Sequence, residues 1–126
     1  MVRGAEAYRR VDTESRSPVE LVVMLYDGAI RFVGDASTAA QRNDVRGRTQ
    51  AVSRALAIVT ELQNTLKVDE GGDMARELDR LYSYMATRLL DVNTKKDAGA
   101  LDEVHRLLTT VRDAWAQIGV PVGARP

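Results

Sequence analysis

The chain has no cysteine, one histidine, three prolines and few aromatic residues among its 126 positions. Without cysteine there are no disulfides, no zinc-thiolate sites and no thiol nucleophile, a composition compatible with a reducing cytosol. One histidine, His105, is too few for a di-metal carboxylate centre, which needs a carboxylate-x-x-His pair on each of two helices, and Asp102 with His105 supplies that spacing once. His105 is also the only partner available to a hydroxyl nucleophile, and it lies off the apolar line of its own helix, so it is expected on the surface. No apolar run approaches the roughly 18 residues that span a bilayer, and MVRGAEAYRR lacks the apolar core of a signal peptide. Neither membrane insertion nor export of this chain is expected, which places it in the cytoplasm.

An excess of charge of one sign is missing as well. Eighteen basic and eighteen acidic side chains cancel, which argues against nucleic acid as a partner. Tyr8, Tyr26, Phe32, Tyr82, Tyr84 and Trp115 are scattered and form no stacking platform. Gly71-Gly72 lacks the lysine of a phosphate loop, and Asp69, Glu70 and Asp73 read as capping and solubilising residues. Paired Glu-x-x-Glu motifs of a helical magnesium-dependent nucleotide hydrolase are not evident. No catalytic residue, cofactor, metal or small-molecule substrate is expected.

What is present is helical text. Ser17-Pro18-Val19-Glu20 is a capping box with proline at the first helical position, where its missing N–H costs nothing. A first helix is expected to run from there to about Arg42, and Asn43-Asp44 should cap a second over about Val45 to Leu66. The segment 67–72 reads as a loop, with Asp73 opening a third helix to about Asn93. Asp97 should open a fourth that ends at Ile118, with Gly119 and Pro121 as stop signals. Leu101, Val104, Leu108, Val111, Trp115 and Ile118 form a seam in steps of three and four, and so do Met74, Leu78, Leu81, Met85, Leu89 and Val92. The economical solution is all-α: an antiparallel up-and-down four-helix bundle over 17–119, with an N-terminal arm, 1–16, and a short tail, 120–126.

The first helix departs from the usual pattern. Leu21, Leu25, Gly28, Phe32 and Ala36 lie along one line; Val19, Val23, Tyr26, Ile30 and Val33 lie along another. The apolar arc covers about 220°, where a bundle helix needs little more than 100°. Glu20, Asp27, Arg31, Gly34 and Thr38 make the polar face, on which a charge reversal at Asp27 should disturb folding little. On the second helix Ile58 and Leu62 sit toward the edge of the stripe of Val45, Val52, Leu56 and Val59. An apolar surplus of this kind suits a groove for a partner, and equally a helix packed on two neighbours, a face covered by the arm, or a homodimer or adaptor interface. Gly28 costs about 1 kcal/mol in a helix interior, an expense that a closer helix crossing would offset.

The run SPVELVVMLYDGAIRF resembles the signature of the FliS family, the export chaperones of flagellin, in which a Ser-Pro start leads into Met-Leu-Tyr-Asp-Gly. GGDMARELDRLYSYMATRLLDVNTKKD and LDEVHRLLTTVRDAW are similar to that family's third and fourth helices. The resemblance implies a non-catalytic helical bundle that holds the disordered C-terminal segment of flagellin, one client per chaperone, blocks premature polymerisation and delivers it to the flagellar type III export apparatus. It also implies an arm, carrying Tyr8, that covers part of the groove without client. Client contacts are expected among Tyr8, Val23, Met24, Leu25, Tyr26, Ile30, Val33, Ile58 and Leu62, and structural roles for Ser17, Pro18, Gly28 and Trp115.

Overall fold

The computed structural model describes residues 17–66, 68–97 and 99–119. These form four helices: α1, Pro18–Gln41; α2, Val45–Thr65; α3, Val68–Thr94; and α4, Gly99–Gly119. α1 packs on α2 and α4, and α3 packs on the same two. With connections this short the chain runs up and down, giving the four-helix bundle that the periodicity predicts.

The helix starts follow from local chemistry. Ser17 has extended backbone, its Oγ accepts the Glu20 N–H at 3.1 Å, and Pro18 occupies the first turn. After α1, Asn43 takes a left-handed conformation, φ 57, which its short polar side chain tolerates better than most. Asp44 Oδ1 then accepts the Gly47 N–H at 2.9 Å and caps α2. At the head of α4 the Asp97 carbonyl accepts the Ala100 N–H at 3.2 Å.

The expected loop over 67–72 needs correction. Helix begins at Val68, and a single residue, Gly72 with φ 63, interrupts it before the long stretch of α3. Two adjacent glycines looked like a loop, but only Gly72 leaves helical geometry, and Asp69 and Glu70 in the first turn favour the positive helix end.

Large apolar residues of three helices meet at the centre: Val52, Val59, Tyr82, Met85, Leu89, Val92, Leu101, Val104 and Leu108 are all buried. Opposite them α1 and α2 contribute Ala29, Ala36, Ala51 and Ala55, small side chains that permit close approach. The predicted seams hold at the centre and fail at the ends. Val45, Met74 and Ile118 are 60%, 70% and 67% exposed, because a residue of correct phase in a terminal turn has too little neighbouring helix to pack against.

Candidate protein-binding face

α1 lies between two neighbours, and its two apolar lines go to different places. On the first line, Gly28 faces α2: a Cβ there would stand 3.2 Å from Ile58 Cδ1. One turn on, the Arg54 guanidinium lies 5.8 Å from the centre of the Phe32 ring. On the second line, Tyr26 and Val33 are fully buried. Beyond them the α4 side is marked by Asp27, whose Oδ1 accepts Arg112 Nε–H at 2.8 Å. The bundle itself therefore takes up much of the apolar surplus expected to be free.

Several expected client contacts must be revised accordingly. Tyr26 and Val33 are 0% exposed and Leu62 is 1% exposed; all three are core residues that no partner reaches while the bundle is closed. Each belongs to the phase that points at the bundle axis, and residue type alone could not separate that phase from the flanking ones. Val23, Leu25, Ile30 and Ile58 are half-buried, and Met24 is exposed at 41%. Tyr8 lies outside the described residues. Asp27, expected on a purely polar face, ties α1 to α4.

Tyr26 meets Tyr82 in the core, where the two hydroxyls share a hydrogen bond and the rings tilt at 45° with centroids 6.3 Å apart. Burial, together with Tyr82, pushes the Tyr26 phenol well above its ordinary range, while the Trp115 indole works in the opposite sense. Burial raises Tyr82 also. Both hydroxyls thus stay neutral, as buried donors and acceptors with partners should.

Below this pair, toward the N-terminus of α1, packing thins. From Pro18 to Leu25 the helix carries Val19, Leu21, Val22, Val23, Met24 and Leu25, and none is buried; from Tyr26 onward a buried residue recurs at every turn. The antiparallel order brings the end of α2, the start of α3 and the end of α4 to the same pole. There a cleft of about 340 Å³ opens between Leu66, Met74, Ala75, Leu78 and Trp115. A dry cavity of about 150 Å³ can take up benzene, so this one has room for a large apolar side chain. Sequence reasoning singled out Trp115 only as structural and missed its place in the cleft, since nothing local in the sequence places Leu66 or Met74 beside it.

At the other pole Arg88 Nε–H donates to Glu103 at 2.6 Å, and its Nη1 to Asp97 at 2.9 Å and Asp91 at 3.2 Å. The guanidinium holds Glu103 and Asp97 below the usual carboxylate range. This is a clamp across the α3–α4 turn. Among the described residues no group of three or more His, Asp or Glu side chains is placed to hold a metal ion, and no helix is long and apolar enough to cross a membrane. The chemistry offered is that of an apolar contact surface.

A family model described as flagellar protein FliS matches residues 1–121. The chain is 38% identical over 120 residues to the flagellar secretion chaperone FliS of Salmonella typhimurium, covering 91% of this chain and 89% of that protein. It is 33% identical over 122 residues to the protein of that name in Vibrio cholerae, covering 93% and 90%, and 33% identical over 111 residues to that of Bacillus subtilis, covering 88% and 82%.

Proposed function

This chain belongs to the FliS family, and from that premise we propose that it is a cytosolic flagellar secretion chaperone that binds the disordered C-terminal segment of flagellin one-to-one. Held on the bundle, the segment is kept from polymerising before export and is surrendered to the flagellar type III export apparatus. The observation that carries this reading is the N-terminal turns of α1, where six apolar side chains run from Val19 to Leu25 without one being buried, beside the apolar cleft at the same pole. Ordering a disordered client costs several kcal/mol, so a long apolar contact is required to hold it. Half-buried Val23, Leu25, Ile30 and Ile58 with exposed Met24 supply one part of it, and the Trp115 cleft another.

The arm, 1–16, is proposed to compete for this surface through Tyr8. A competitor in the same chain lowers apparent affinity by the fraction of time it occupies the site, so deletion of residues 1–16 should tighten binding.

The test is calorimetric titration of the whole chain with a C-terminal flagellin fragment from the same organism, followed by circular dichroism of the mixture. One-to-one binding with a negative heat-capacity change and gained helicity is the expected result. Absence of binding, with light scattering that shows a concentration-dependent dimer, would instead make the surface a self-interface.

A further inference from the structure

The α1–α2 groove is bounded by two stripes of matching period. Leu21, Leu25, Gly28 and Phe32 stand at i, i+4, i+7 and i+11 on α1, and Arg54, Ile58, Glu61 and Thr65 stand at the same spacing on α2. Gly28 against Ile58 and Phe32 against Arg54 give one antiparallel register, and that register sets Leu25 opposite Glu61. The floor is apolar and half-buried. The two ends differ in charge.

At one end two guanidiniums lie near the Phe32 ring: Arg31 is 5.2 Å and Arg54 5.8 Å from the ring centre. Both arginines are exposed, and no carboxylate pairs with either among the described residues. Four other arginines do pair with acids: Arg76 with Asp73, Arg80 with Glu77, Arg88 with three carboxylates and Arg112 with Asp27. At the other end stands Glu61, exposed and two helical turns, about 10 Å, from Arg54. The groove is therefore an apolar strip with a cationic pole and an acidic pole.

We infer that this groove receives an amphipathic helix of the client, oriented by an acidic side chain drawn to the Arg31 and Arg54 end and a basic one near Glu61, about two turns away. The inference rests on the chaperone reading above and names the chemistry of the segment that docks. Guanidiniums present a planar fork that matches a carboxylate. Stacked on Phe32 at the edge of an apolar strip, the pair would be shielded from water once a helix lies over them, which strengthens the attraction. Charges placed in this way select one docking direction more than they add affinity.

The experiment titrates the C-terminal flagellin fragment into the wild-type chain, R31Q/R54Q and E61Q at about 50 mM and about 500 mM NaCl, which shortens the screening length from roughly 14 to roughly 4 Å. The wild type should lose affinity as salt rises. R31Q/R54Q should bind about ten-fold more weakly at low salt and lose most of the salt dependence, with circular dichroism and melting unchanged; E61Q should show the same trend more weakly. Wild-type binding that is independent of salt and equalled by R31Q/R54Q overturns the inference and leaves the chaperone reading intact. No binding by the wild type at either salt overturns both.

Discussion

Two glycines in α1 sit in different surroundings. A Cβ at Gly34 would meet nothing within 4 Å, whereas at Gly28 it would press on Ile58 Cδ1 at 3.2 Å. Gly34→Ala should therefore collect the helix-propensity gain of about 0.5–1 kcal/mol and raise the melting temperature by a few degrees. Gly28→Ala should gain less or lose, because Ile58 must shift; equal gains in thermal denaturation would count against close packing at Gly28. The sequence raised the cost of Gly28 and predicted a closer crossing, but it could not say which side chain fills the space, since Ile58 is thirty residues away. Tyr26 shows the same limit. Its motif position was evident, yet its burial against Tyr82 was not. Tyr26→Phe leaves the Tyr82 hydroxyl buried without that partner and should cost about 1–3 kcal/mol. Because Tyr82→Phe breaks the same hydrogen bond, Y26F/Y82F should cost less than the two single changes added together, a difference that chemical denaturation of the four proteins measures.

Among the elements, the α3–α4 hairpin makes the clearest electrostatic case. Hydrogen bonds from Arg88 hold Glu103 and Asp97 below their ordinary range, Tyr84 helping at Glu103. A depressed carboxylate pKa contributes stability that is complete above the ordinary value, near 4, and is lost as pH falls through the folded-state value below it. Arg88→Met should therefore lower the melting temperature at pH 7 and make progressively less difference below about pH 4. A melting deficit that stays constant down to about pH 2 would mean that Arg88 acts by packing alone. Helix existence and the cap residues Ser17 and Asp44 were legible because capping is local chemistry, read from three or four neighbours. The start of α3 was not, because whether Gly71 or Gly72 leaves the helix depends on backbone geometry that two identical residues do not encode.

At the scale of the whole molecule the bundle is asymmetric. Both ends have clefts of similar size, but the one of about 320 Å³ beside Leu101 is lined largely by Ser37, Gln41 and Asp102, whereas the one beyond Tyr26 and Tyr82 is lined by Leu66, Met74, Leu78 and Trp115. Hydropathy periodicity made the architecture legible but not this asymmetry: Met74 and Ile118 have the correct phase and still lie exposed, since phase does not report where the neighbouring helices end. Few buried contacts mean a low free energy of local opening, so amide hydrogens of Leu21–Leu25 should exchange faster than those of Ala29–Ala39, although both belong to one continuous helix. The same pole holds the only tryptophan of the chain, which gives the proposed docking a spectroscopic test. If the client places apolar side chains in the cleft, Trp115, now partly buried, loses its remaining water; its emission should shift to shorter wavelength and acrylamide quenching should fall on adding the flagellin fragment. Leu78→Asp, on the cleft wall, should weaken binding together with the spectral change, and Arg88→Met, at the opposite pole, should leave both intact near pH 7. A fragment that binds without altering Trp115 would confine the client to α1 and its groove and leave the cleft outside the contact.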